Sequence, residues 1–136
     1  MPTAVELIAE GKQARAERDL DAARAYYAEA AEAFRKEDNR LAYAHAIRHI
    51  ADMFLDEARH AEAGPLYEEA LEIYRSSLDT KLLDLANTVR PYALLNETIG
   101  NVDLAREHWQ EARNLYASLH LDIGVDECGK HLARLS

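Results

Sequence analysis

Three stretches of this chain share one pattern: alanine, three residues, an aromatic, two residues, alanine. They are Ala23–Ala30 around Tyr27, Ala63–Ala70 around Tyr67, and Ala105–Ala112 around Trp109. A helix places those three side chains on one face. Small, large, small lets a neighbouring helix come close while one ring stays wedged against it. The copies begin at residues 23, 63 and 105, 40 and then 42 apart. A period of that length indicates an array of stacked helices.

The residues between the copies supply the other helices. Thr3-Ala4-Val5-Glu6 has the spacing of a capping box, so a first helix is expected from about Ala4 to Arg18, with Leu7, Gly11 and Ala14 inward. Asp19 caps a second, about Leu20 to Lys36, which turns Ala23, Tyr27, Ala30 and Phe34 inward. Glu37-Asp38-Asn39 is a polar break. The third helix, Leu41 to Glu57, restores the stripe with Ile47, Ile50, Ala51 and Phe54. No breaker residue marks the turn near Arg59-His60, and the repeat alone places it. The fourth helix, about Ala61 to Ser76, carries Pro65 in its first turn, where a missing amide costs little. Thr80 to Ile99 is the longest pattern; Pro91 in its middle is expected to kink it and free the carbonyl of Asn87. Gly100 stops that helix and Asn101 starts the sixth, about Val102 to Ser118, which buries Ala105, Trp109, Ala112 and Tyr116. A last segment after Asp122 spaces Val125, Cys128, Leu132 and Leu135 at three, four, three. It is expected to cap the open end of the stack.

Length and charge narrow the function classes. A chain of 136 residues is expected to form one domain. Its net charge of −9 argues against nucleic acid and against an anionic membrane surface. No apolar run approaches the roughly 20 residues of a spanning helix, and the first residues do not read as a leader. The lone Cys128 cannot form an internal disulfide, so a cytoplasmic location is expected.

The pattern resembles the tetratricopeptide repeat, a helix-turn-helix unit that stacks into a right-handed solenoid. The matching residues are Leu7, Gly11, Ala14, Ala23, Tyr27 and Ala30 in a first unit of about residues 3–37. A second unit, about 40–77, matches at Ile47, Ile50, Ala51, Phe54, Ala63, Tyr67 and Ala70. A third, about 80–118, matches at Val89, Tyr92, Ala93, Ala105, Trp109 and Ala112, and the cap covers about 122–135. The resemblance implies an all-α, right-handed solenoid of three helix pairs plus a capping helix, seven helices in all. The family's usual period is 34. The longer period here, with Pro65-Leu66-Tyr67-Glu68-Glu69-Ala70-Leu71, is similar to the repeats of kinesin light chains. Those repeats commonly carry paired asparagines where this chain has Arg48-His49 and Arg90-Pro91, so their cargo specificity is not expected. Chaperone-binding members hold a terminal carboxylate with lysines and asparagines. The matching places here are Ile8, Lys12, His49, Asn87 and Pro91, so that clamp is not expected either.

In such a stack the first helix of each unit lines a concave groove. Its non-core face carries Val5, Ile8, Lys12 and Arg15, then His45, Arg48, Asp52 and Leu55, then Asn87, Arg90, Leu94 and Glu97. Lys12, Arg15, His45, Arg48, Asp52, Asn87, Arg90 and Leu94 are the expected peptide-binding residues. Lys12, Arg48 and Arg90 would form a row of cations for an acidic segment, since a guanidinium grips a carboxylate with two parallel hydrogen bonds. The competing reading is that Arg48 simply pairs with Asp52 along its own helix, a surface pair worth about 0–1 kcal/mol. His45, His49 and Asp52 share a face, but one helix supplies three ligands only with strain and Arg48 would repel a cation, so no metal is expected. Cys128 and His131 share a face too, yet Cys128 falls in the apolar stripe and reads as a buried, inert thiol. No glycine loop, nucleophile set or facing carboxylate pair is present, so neither enzyme activity nor a cofactor is expected. The expected partner is a protein or peptide, with a homodimer as the alternative.

Overall fold

Helix ends in this chain are set by a few side chains and by one recurring backbone turn. A computed structural model describes residues Met1 to Ser136, and it holds seven α-helices and no strand. They are α1 (Ala4–Ala16), α2 (Leu20–Lys36), α3 (Arg40–Asp56), α4 (His60–Ser76), α5 (Leu82–Ile99), α6 (Val102–Ser118) and α7 (Asp122–Leu135). The capping box forms as expected: Glu6 N–H donates to the Thr3 hydroxyl and Thr3 N–H to the Glu6 carboxylate, both at 3.1 Å. Asp19 and Asn39 accept from the amides of Ala22 and Ala42 at the starts of α2 and α3.

Five turns share one closure, in which an amide donates to a carbonyl five residues back. Asp19 donates to Ala14, Asn39 to Phe34, Arg59 to Phe54, Asn101 to Asn96 and Leu121 to Tyr116, at 2.8–3.0 Å. The residue before each donor is left-handed: Arg18, Asp38, Ala58, Gly100 and His120. This is a Schellman closure, which satisfies carbonyls the helix end leaves open. Glycine occupies that place only once.

Several expected boundaries move. The first helix ends at Ala16 instead of Arg18, because Arg18 takes the left-handed position. The third begins at Arg40, one residue early, under the Asn39 cap. The fifth begins at Leu82, after Lys81 in extended conformation, instead of at Thr80. Pro65 is not in the first turn. With α4 starting at His60, it is the sixth residue, so the helix gives up one internal hydrogen bond there. Asn101 sits at the start of α6, but its side chain donates to Asn96 Oδ1 at 3.2 Å and leaves α6 without a side-chain cap.

The three repeated motifs are buried as their pattern requires. Their six alanines are 0% exposed, and Tyr27, Tyr67 and Trp109 are at most 1% exposed. Each ring reaches back to the preceding helix. Tyr27 lies so close to Gly11 of α1 that a Cβ there would sit 2.8 Å from Cε2. The Tyr67 hydroxyl donates to Asp52 of α3 at 2.5 Å, and Trp109 Nε1 donates to Glu97 of α5 at 2.8 Å. On α3 the buried face is wider than the expected stripe. Met53, Ala44 and Ala46 are fully buried, whereas Ile50 and Phe54 are half-buried. Helix α3 packs against α2 and is also tied to α4 through Tyr67, so it has more than one inward side. Phe54 is covered by the guanidiniums of Arg24 and Arg59, at 4.8 and 4.7 Å from its centroid.

The chain divides into two compact units, Met1–Ile73 and Tyr74–Ser136. In the first, α1 packs on α2 and α2 on α3; in the second, α5 packs on α6 and α6 on α7. Gly124 makes the last contact possible, since a Cβ there would lie 2.6 Å from the Tyr116 ring.

Candidate functional site

The expected groove residues fall into two separate settings. In the first unit, α3 carries a polar cluster along one face. The Arg48 guanidinium donates to Asp52 Oδ2 at 3.1 Å, with the side chains 12% and 18% exposed. The pairing along one helix is therefore present, but as a part-buried pair instead of a surface one. Burial pushes the Asp52 carboxyl up, despite the bonds from Tyr67 and Arg48. His45 and His49, one turn apart, meet at 3.3 Å through their Nε2 atoms, and His49 stacks on Tyr27. Burial, then Arg48, His45, Arg15 and Lys12, drive the His49 imidazole down to about 3. It is neutral at physiological pH. Arg48 Nε and His49 Nδ1 are buried without a hydrogen-bond partner.

Around this cluster, Arg15 reaches across to Asp56 at 3.2 Å. Lys12 is exposed and makes no ion pair within 4.0 Å. The first unit thus brings Lys12, Arg15, His45 and Arg48 into one electrostatic neighbourhood around His49. Asp52 has both oxygens engaged, by Tyr67 and Arg48, and no three His, Cys, Asp or Glu side chains converge as a metal site would require.

In the second unit, Asn87 and Arg90 line a cleft of about 760 Å³ between α5, the end of α6 and α7. Leu83, Tyr116, Leu121, Ile123 and Gly124 form its apolar part, and Asp126, Glu127 and Lys130 its polar part. Arg90 grips Glu127 of α7 through Nε and a terminal nitrogen, at 2.6 and 2.7 Å. That fork holds the Glu127 carboxyl below the usual range and raises the guanidinium. The Tyr116 hydroxyl donates to Asn87 Oδ1 at 2.7 Å. Leu94 does not line the cleft; it is half-buried further along α5, where its carbonyl accepts the Thr98 hydroxyl.

The α7 contributions were not among the expected groove residues, because that helix read only as a cap. The available signal was Glu127 and Lys130, a turn apart beside Cys128 of the stripe. Cys128 itself is fully buried, and burial, then Glu127, push its thiol up to about 11, which removes it as a nucleophile at neutral pH. Helix α7 also covers Trp109. His131 stacks on the indole at 3.9 Å between centroids, and its Nδ1 lies 2.8 Å from Glu97. No helix in the chain is long and apolar enough to cross a membrane. Comparison with protein-family models finds no match to this sequence, and comparison with curated proteins finds none either.

Proposed function

We propose that this chain is a non-catalytic protein-interaction module of the tetratricopeptide type. In this reading the seven helices form a right-handed solenoid of three helix pairs, with α7 as its cap, working in the cytoplasm. Its concave side receives a peptide or helix of a partner protein. The observation that carries the reading is the α5–α7 cleft: two expected groove residues, Asn87 and Arg90, border it beside apolar side chains left open to solvent. Ile123 is 88% exposed and Leu83 43%, a grouping that suits a partner with apolar side chains. The buried ring-and-alanine motifs support the repeat reading, because each ring docks on the helix before it. The test is titration of the purified protein with acidic and basic peptide libraries, followed by charge reversal at Arg48 and Arg90. Hits that survive both reversals unchanged would remove the groove assignment.

The same open apolar side chains favour a second reading, self-association through this end of the chain. Light scattering on the wild type and on Leu132→Glu separates the two. A monomer in both cases leaves the peptide-binding reading alone.

A further inference from the structure

We infer that the α5–α7 cleft is held closed to its ligand by its own carboxylate, and that a partner segment with a single carboxylate flanked by aliphatic side chains binds by taking Glu127's place on Arg90. The inference rests on the interaction-module reading and adds the ligand chemistry and a control built into α7. Its starting point is a difference between two ion pairs. The Arg48 and Asp52 side chains are 12% and 18% exposed and lie on one helix, so separating them strands charge in the interior. Those of Arg90 and Glu127 are 39% and 36% exposed and lie on two helices, beside an open cleft. Water already reaches both partners, so Glu127 can swing into solvent while Arg90 stays in place. A carboxylate arriving from outside would recover the same two parallel hydrogen bonds. The exchange is nearly balanced in polar terms. Net affinity then comes from covering Leu83, Leu121 and Ile123, which water now touches.

The charges in the cleft limit the ligand further. Lys130 is exposed, one turn from Glu127, and makes no ion pair, so it offers a second cation. Asp126 and Glu127 balance Arg90 and Lys130, so the lining carries no net charge to attract a run of acids, which the chain's overall charge of −9 repels. One carboxylate among aliphatic residues fits that balance; a polyacidic tract does not.

The probe is a short fluorescein-labelled peptide with one glutamate flanked by leucines, with glutamine and lysine counterparts, read by fluorescence anisotropy on the full chain. The glutamate peptide should bind, and each counterpart should bind about tenfold more weakly for want of a charge-assisted fork. Glu127→Gln should tighten the glutamate peptide by up to about fivefold, because an internal competitor of the strength of an exposed ion pair is gone. Arg90→Gln should weaken it by about tenfold, and Arg90→Lys should fall between, having charge without the fork. Circular dichroism shows whether each variant is folded, and Glu127→Gln gives the decisive result even if Arg90→Gln is not. Unchanged or weaker binding by Glu127→Gln overturns the exchange. Binding that responds to Arg48→Glu but not to Arg90→Gln also overturns it while leaving the module reading intact. If none of the three peptides binds, and neither do the broader libraries, both readings fall.

Discussion

Tyr67 in the first unit and Trp109 in the second each give one proton donor to a carboxylate on the preceding helix, yet the two carboxyls move in opposite directions. Asp52 is pushed up: burial outweighs the bonds from Tyr67 and Arg48. Burial pushes Glu97 up as well, but hydrogen bonds from His131 and Trp109 outweigh it and hold the group below the usual range. Burial is the first cause at both carboxyls, and only at Asp52 do the donors fail to outweigh it; the donors also come from different places. Around Asp52 the guanidinium belongs to α3 itself, and the histidines beside it pair with each other on that helix. Around Glu97 they come from α6 and α7, with Arg134 adding a contact at 3.4 Å. The first unit therefore closes much of its polar cluster along one helix, whereas the second depends on α7 being docked. A cluster completed by a terminal helix can be opened, which is the property the cleft would need.

The largest effect should come from removing the ring at the centre of the second unit. Trp109→Ala should cost about 3–5 kcal/mol in urea denaturation, because the indole is 0% exposed and would leave a cavity. Tyr67→Phe in the first unit should cost less, about 1–3 kcal/mol, by leaving the buried Asp52 short of one donor. Equal costs would mean that the Tyr67 hydroxyl bond to Asp52 carries as much as a whole buried ring does in the second unit.

The next effect tests the dependence on α7 directly. Gly124→Ala would place a methyl 2.6 Å from the root of the Tyr116 ring, and should cost about 1–3 kcal/mol by prising α7 from α6. Because His131 stacks on Trp109, the same variant should shift tryptophan emission toward that of a wetter indole. Gly11→Ala meets the outer edge of the Tyr27 ring at 2.8 Å and sits mid-helix, where alanine regains about 1 kcal/mol of helix propensity. It should be the milder of the two. A larger loss at Gly11 would show that the first unit is the less tolerant of strain.

How far the sequence reaches can be seen at particular residues. Periodicity placed the buried faces of α1, α2 and α6, and Thr3 and Asp19 announced their caps, because those signals act within a few residues. On α3 and α7 it reached less far, since Ile50, Phe54, Val125, Leu132 and Leu135 are only half-buried. The Arg90–Glu127 and Arg15–Asp56 pairs join positions 37 and 41 residues apart. They depend on how each helix is rotated against its neighbour, and a stripe several residues wide leaves that rotation open. For this reason Arg90 read as a waiting cation, although its guanidinium is engaged, whereas the Arg48–Asp52 pair, four residues apart on one helix, was legible as the competing reading. Pro65 misled for a related reason: its tolerance in the first turn is a preference, and the Arg59 closure set the helix start at His60, which makes Pro65 the sixth residue.

Acid should separate the units. His49 titrates at about 3 in the folded protein against 6.5 ordinarily, so below pH 6.5 the unfolded chain takes up a proton that the folded one refuses. Stability is full above pH 6.5 and falls as pH drops toward 3, at up to about 1.4 kcal/mol per pH unit. In the second unit His108, with Nδ1 3.6 Å away, and the Arg75 fork hold Glu111 at about 2. Its contribution is present above the ordinary value of 4.5 and is lost only below it. Asp52, raised by burial, acts in the opposite sense to His49, so the wild type alone is ambiguous. The decisive measurement is the slope of denaturation free energy between pH 6.5 and 5 in wild type and His49→Gln. The variant should be flatter, and the same slope in both would remove His49 as the source.

The smallest effect concerns two turns with the same closure and different residues. Ala58 in the first unit and Gly100 in the second both hold the left-handed position, at φ 59° and 93°. An L side chain there crowds the following carbonyl, which costs about 1 kcal/mol, and glycine avoids that crowding. Ala58→Gly should therefore raise stability by about 1 kcal/mol, and Gly100→Ala should lower it by a similar amount. No atom lies within 4 Å of a Cβ at Gly100, so its loss would be backbone strain alone and not collision. Paired thermal melts of the two variants give the comparison. If Ala58→Gly is instead destabilising, the αL position is not the limiting strain in that turn. The stacking of Arg59 on Phe54, which the Ala58 turn positions, would then be what the turn protects.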